Sequence, residues 1–355
     1  MQLLALLFVI LVFLNLAMST ESPLGQSECG EYDYSRNFPG VRNQDGHGFC
    51  WAFAGTALLE EHRCLEDATT CRQMLSVLDE SRCTWTMGND EGANKTGEGN
   101  SIAGGIFCGL NEGVCRERLA PYNQGGGCRI TIFFGGASTA AKCRHEEVMN
   151  IYEKWHRVIT PLALQCHNSF DALAAGSNPE IQRFMDDLLA IVTSDRYLGS
   201  KADILQMLVK AKDKGEFAKS ILIPPGCAAV RWKPRDRENI GVHTETLSGK
   251  SRNNKIEALR SVFKIQEHST GATICLDSGG IFGGAIGDGN KPKCEKQHAV
   301  VFTGMRWNAS ENRCEIKVRN SWGKDSEISG WMSAEVILDS LRELTYIRDY
   351  RKKLP

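Results

Sequence analysis

Fourteen cysteines in 355 residues constrain this chain more than any other feature. At about 4% of the composition they exceed what a reducing cytosol accommodates, yet fall short of a small disulfide-knotted scaffold. A large domain folded in an oxidising compartment is expected. The N-terminus agrees. An apolar run from Leu3 to Leu14 precedes the small residues Ala17, Ser19 and Thr20, the pattern of a secretory signal over residues 1–20, cut between about Ala17 and Pro23. An uncleaved anchor is the alternative. The run is short for a membrane span, and no second stretch approaches ~18 apolar residues. The expected product is a monomer, free of membrane after cleavage, and secreted or held in a periplasmic or lysosome-like compartment.

Charge narrows the function classes. Lys and Arg total 42 against 43 Asp and Glu, with no polybasic block. That argues against nucleic-acid binding and against electrostatic membrane attachment. The chain has no HExxH, no G-x-S-x-G, no P-loop and no CxxC pair, and its eight histidines are scattered. Neither a metal nor a cofactor is expected.

Residues 50 to 62 form a helical pattern, with Phe53, Ala54, Ala57 and Leu58 at three- and four-residue spacing. The loop Gln44-Asp45-Gly46-His47-Gly48 precedes it, so Cys50 falls at a loop-to-helix junction, where unpaired N–H groups point outward. Residues 84–130 are glycine-rich and irregular, and carry a glycosylation sequon at Asn94; a second lies at Asn308. From 138 to 220 the pattern becomes helical, with candidates at 145–159, after the Asn178-Pro179 cap, and at 202–215. The second of these turns Ile181, Phe184, Met185, Leu188, Leu189 and Val192 to one face. Cys143 and Cys166 are candidates to staple this unit. Lys210, Lys212 and Lys214 read as its solvated side. After 255 come a helix (255–263) and strands at 272–277, 298–307 and 314–322. Val300 and Phe302 alternate with Ala299 and Val301, all apolar, as in a strand buried on both faces. The class is α+β, helical first and strand-rich last.

Chemistry concentrates on Cys50, because first-turn N–H groups favour a thiolate at a helix start. Its neighbourhood, Gln44-Asp45-Gly46-His47-Gly48-Phe49-Cys50-Trp51-Ala52-Phe53, resembles the active-site segment of papain-like cysteine peptidases. His298-Ala299-Val300 resembles that family's histidine block, and Asn320-Ser321-Trp322-Gly323 its asparagine block, in the family's order. Weaker matches lie at 75–83, at Gly104-Gly105, at 113–122 and at 279–282. Together they cover about 190 residues, within 40–135 and 255–345.

The resemblance implies a two-lobe papain-like fold, with the chain from 21 to 345 as one peptidase domain, a helical insertion at about 135–250, and a C-terminal tail at 346–355. It implies Cys50 as nucleophile, His298 as acid and base, Asn320 as the group orienting His298, and Gln44 in the oxyanion hole. Trp51 and Trp322 would support the site; Gly48, Gly104 and Gly105 would leave room for a polypeptide substrate. A Cys83–Cys128 disulfide is implied as well. With Cys50 reduced, the remaining thirteen cysteines cannot all pair internally, and Cys275, in an apolar run, is the candidate for a second free thiol. Three departures stand out. His47 occupies a customary cysteine position, Phe49 replaces a small residue, and Gln297 precedes His298 where aspartate is common. The stretch before Gln44 is short for an inhibitory propeptide. The 248 residues from Cys50 to His298 exceed the usual ~130–150. The activity implied is a secreted cysteine-type endopeptidase. The alternatives are an idle homologue that binds peptides, or a thiol amidase or acyl transferase.

Overall fold

The computed structural model describes residues 24–44, 49–85, 101–122, 128–129, 142–165, 169–192, 200–276, 294, 296–323, 326 and 328–352. The signal segment, Gly48, His47, the Asn94 sequon, Cys166 and residues 279–282 lie outside them. No helix among the described residues is long and apolar enough to cross a membrane.

The chain opens with β1 (Tyr32–Asp33) and then α1 (Cys50–Glu66), α2 (Val77–Ser81) and α3 (Ile102–Glu112). Ser76 and Ser101 cap α2 and α3, each accepting a backbone N–H in the first turn. A short ribbon, β2 (Cys128–Arg129) and β3 (Lys142–Cys143), leads into helices α4 (Arg144–Gln165), α5 (Phe170–Ala175), α6 (Pro179–Ile191), α7 (Lys201–Lys210), α8 (Lys214–Leu222) and α9 (Pro225–Ala229). The rest is β4 (Ile240–Thr246), α10 (Arg252–Ser261), β5 (Thr270–Leu276), β6 (Lys296–Asn308), β7 (Arg313–Arg319), β8 (Gly330–Ser333), α11 (Ala334–Ser340) and β9 (Leu341–Asp349). These strands pair antiparallel in the order β4-β9-β5-β6-β7-β8, with β1 also on β6. A helical first lobe and a strand-rich second lobe result.

The alternation within β6 explains how the lobes join. Ala299 and Val301 belong to a core shared with Phe53, Ala57 and Leu58 of α1 and Ile106 of α3. Val300 and Phe302 point the other way, into a core with Ile256 and Leu259 of α10 and Ile337 of α11. A strand with helices on both faces has no polar side, so every second-residue position is apolar. Because α1 is covered on nearly all sides, even its carboxyl groups Glu60 and Glu61 are buried with partners: Glu60 with Arg42 at 2.9 Å, Glu61 with the Ser269 N–H and hydroxyl at 2.9 Å each.

The central helices own a third core, built from Trp155, Phe184, Leu188, Leu205, Leu208 and Phe217 among others. Ile181, Phe184, Met185, Leu188 and Val192 are buried as expected, but Leu189 is 42% exposed. Leu189 follows Leu188 by one residue, and 100° of helical rotation carries it off the stripe. Burial of the other five is worth roughly 7–15 kcal/mol in transfer free energy, an upper figure.

Several expectations are corrected. Cys83 bonds Cys108, not Cys128; capped by Ser101, α3 sets Cys108 against the end of α2, whereas Cys128 lies on the ribbon opposite Cys143. Cys275 is no free thiol but bonds Cys294. The other disulfides among the described residues are Cys29–Cys314, Cys64–Cys71 and Cys115–Cys227, and Cys50 alone is free among those residues. β4 lies in the main sheet although it falls within 135–250. Residues 346–349 are strand rather than tail, held by buried Tyr346 and Ile347.

Buried ionisable groups set a pH window. Burial pushes the Glu61 carboxyl up to about 8 and that of Glu80 well above its usual range; both Glu80 oxygens lack a hydrogen-bond partner. Burial pushes His62 and His268 down to about 4. The carboxyls keep a proton that the unfolded chain releases above about 4.5, so their contribution is lost as pH rises toward 8. The histidines refuse one that the unfolded chain accepts below about 6.5, so theirs is lost as pH falls toward 4. Thermal midpoints measured from pH 4 to 8.5 should plateau between about 4.5 and 6.5 and fall on both sides; a midpoint still rising from 6.5 to 8 would contradict this burial pattern.

Candidate active site

Cys50 is the first residue of α1, so its backbone N–H is one of the orphan donors of the helix start. Phe49 before it is fully buried, stacked on Trp51 and tilted against Tyr122 at centroid distances of 6.1 and 5.8 Å. The bulky Phe49 thus fills the lobe core and does not narrow the cleft. The Cys50 side chain is half-buried and lines a cleft of about 430 Å³ together with His298.

His298 sits on β6, opposite Ile274 of β5, and Asn320 directly follows β7. The His298 Nε2 and Asn320 Oδ1 are 2.7 Å apart, and both residues are buried. The orientation of Asn320 is fixed independently. Its Oδ1 also accepts the Ser321 N–H at 2.8 Å, and its Nδ2 donates to the Ser326 hydroxyl at 3.0 Å. An acceptor facing Nε2 means that Nε2 carries the hydrogen, leaving Nδ1 as the basic nitrogen of the neutral ring. The Trp322 ring lies over the imidazole at 4.3 Å between centroids.

Gln44 is buried and strapped to the same block. Its N–H donates to the Ser321 carbonyl at 2.7 Å, the Ser321 hydroxyl donates to its Oε1, and Asn43 bridges Trp322. With the carboxamide oxygen held by Ser321, the NH₂ end is the group oriented for donation. Asn43, Gln44 and the strand end carrying Asn320 are therefore one hydrogen-bonded unit.

Burial raises the Cys50 thiol pKa, against backbone hydrogen bonds from Ala299 and Trp51 that lower it. Burial also depresses His298 to about 4, against the Asn320 bond. Burial thus favours the neutral form of each group.

The other expected site residues divide. Trp51 and Gln297 line the cleft. Gly104 and Gly105 stand in the first turn of α3, where Gly105 is buried with the Glu80 carboxylate 1.9 Å from where a Cβ would lie. Gly105 makes room for Glu80, and neither glycine is among the described residues that line the cleft. The cleft wall there is Ser101 and Ile102. Gly105→Ala should cost roughly 1–3 kcal/mol as overpacking, read as a lowered thermal midpoint. Sequence reasoning also passed over Ser326, Arg342 and Glu343. The last two are cleft residues with no motif to mark them.

The arrangement resembles the site of a papain-like cysteine peptidase. No protein-family model and no curated protein sequence matches the chain. Among solved structures it is similar to a digestive procathepsin L 3 from the larval midgut of Tenebrio molitor, at 13% identity and a TM-score of 0.42, over 93% of this chain and 72% of that one. Xylellain, a cysteine protease of Xylella fastidiosa, gives 16% identity and a TM-score of 0.43 over 92% and 90%. The ragweed cysteine protease Amb a 11 in its proform gives 14% and 0.41 over 93% and 66%. Likenesses this distant carry no functional weight; the side-chain geometry does.

Proposed function

We infer that the chain is a papain-like, thiol-dependent endopeptidase. The observation that carries this reading is the Asn320-oriented His298, opening with Cys50 on one cleft at the start of α1. His298 Nδ1 takes the Cys50 proton, and the resulting charge pair offsets the burial penalty that each ion alone would face. The thiolate adds to the scissile carbonyl. The Cys50 N–H and the Gln44 carboxamide NH₂ hold the oxyanion, and the His298 imidazolium protonates the departing amine. Water, deprotonated by His298, then releases the acyl group from sulfur. Asn320 keeps the ring in the productive tautomer, and Trp322 covers the His298–Asn320 bond, which weakens when solvated.

Cleavage of a denatured protein, compared with cleavage of a dipeptide amide, tests the endopeptidase reading. Fragments from internal cuts support it, and trimming confined to chain ends contradicts it. Gln44→Ala should lose about 2–4 kcal/mol of transition-state stabilisation, seen in kcat. Asn320→Ala should reduce turnover without abolishing it, because Asn320 takes no part in bond making. A kcat for Gln44→Ala within twofold of the parent would remove Gln44 from the oxyanion hole.

A further inference from the structure

The wall of the cleft opposite α3 carries a charge that the chemistry above does not use. Along β9, Glu343 pairs with Thr273 of β5, while Leu341 pairs with Ile274, so two steps on β9 match one on β5. Arg342 is the extra residue of a β-bulge. In a regular strand, Arg342 and Glu343 would face opposite sides of the sheet. The bulge re-aims the backbone, and both side chains line the cleft that holds Cys50 and His298.

Arg342 is half-buried and pairs with no carboxylate among the described residues. Its Nε donates to the Cys275 sulfur at 3.0 Å and its Nη1 to the Ser248 hydroxyl at 3.4 Å. Those two contacts use two of the five N–H donors of the guanidinium. Glu343 forms no ion pair with it: its Oε1 accepts from the Thr345 hydroxyl at 3.3 Å, and burial raises its carboxyl pKa. A partly desolvated cation with no counter-ion among the described residues, facing a cleft, is matched by a carboxylate arriving from outside.

We propose that Arg342, turned into the cleft by the β9 bulge, selects polypeptide substrates bearing an acidic side chain close to the cleaved bond. This rests on the peptidase reading, and its test separates the two. Peptides differing only by Glu or Gln at each of three positions before the scissile bond are offered to Cys50→Ala for binding and to the intact enzyme for cleavage. At one position the Glu peptide should bind about tenfold more tightly. Arg342→Glu should reverse the order and favour a Lys peptide; Arg342→Lys should keep the sign with a smaller ratio. Equal binding of Glu and Gln peptides at every position, no binding of either, or a Glu/Gln ratio unmoved in Arg342→Glu would overturn the proposal. Discrimination without cleavage would sink the peptidase reading while Arg342 stands; cleavage without discrimination would do the opposite.

Discussion

Replacing Cys50 with alanine should lower peptide cleavage by about 10⁴-fold or more, to the rate of the uncatalysed background plus whatever the oxyanion donors contribute alone. Among the described residues Cys50 is the one free cysteine and the one cysteine that lines the cleft with His298. Removing the side chain should cost the fold little, because Cys50 is half-buried at the cleft and only borders the α1 core. Thermal midpoints of the variant and parent should therefore agree while turnover collapses. Residual cleavage above a tenth of the parent would mean that another group attacks the substrate.

The second large effect concerns how the central helices are held. Cys115, at the exit of the first lobe, bonds Cys227 across 112 residues, and both sulfurs are fully buried in the helical core. In the chain-entropy picture a loop of this length contributes about 4–5 kcal/mol. The neighbourhood depends on the same junction. Asp79 accepts the Cys115 N–H at 2.9 Å and pairs with Arg231 at 2.7 Å and Arg82 at 3.0 Å. Replacing both cysteines with serine should therefore destabilise the protein by several kcal/mol and split its melting into two steps, the first from the central helices. A single transition at the parent temperature would show that the apolar core alone fixes the insertion.

Much of the site was legible because its chemistry sits on local patterns. A helix beginning at Cys50, a doubly apolar strand after His298, and a strand over 314–322 that carries the chain to Asn320 each follow from a few adjacent residues, although the observed strand stops at Arg319. What sequence reasoning missed depends on distance in space. Pairing Cys83 with Cys128 followed the family resemblance, but Ser101 starts a helix that brings Cys108 to Cys83 first. Cys275 was read as a buried hydrophobe, and it is buried; the partner Cys294 lies 19 residues on, across a span without periodicity. β4 went unseen because its exposed and half-buried positions, Val242 to Thr246, give too weak an alternation. Gly104 and Gly105 were assigned to substrate from the family resemblance, whereas the need for glycine at Gly105 comes from Glu80, which no local pattern reveals. Arg342 depends on a bulge that exists only once β9 and β5 are paired.

The central claim, that Cys50 and His298 form one reactive pair, is tested most directly by covalent labelling. The folded protein is exposed to an epoxide or iodoacetamide inhibitor at mildly acidic pH, and the adduct is mapped by mass spectrometry. One equivalent should attach, on Cys50, with loss of activity in step with labelling. Because the thiolate depends on the imidazolium, His298→Ala should label far more slowly at the same pH. Labelling mapped to another residue, no labelling of the folded protein, or equal rates with and without His298 would contradict the account.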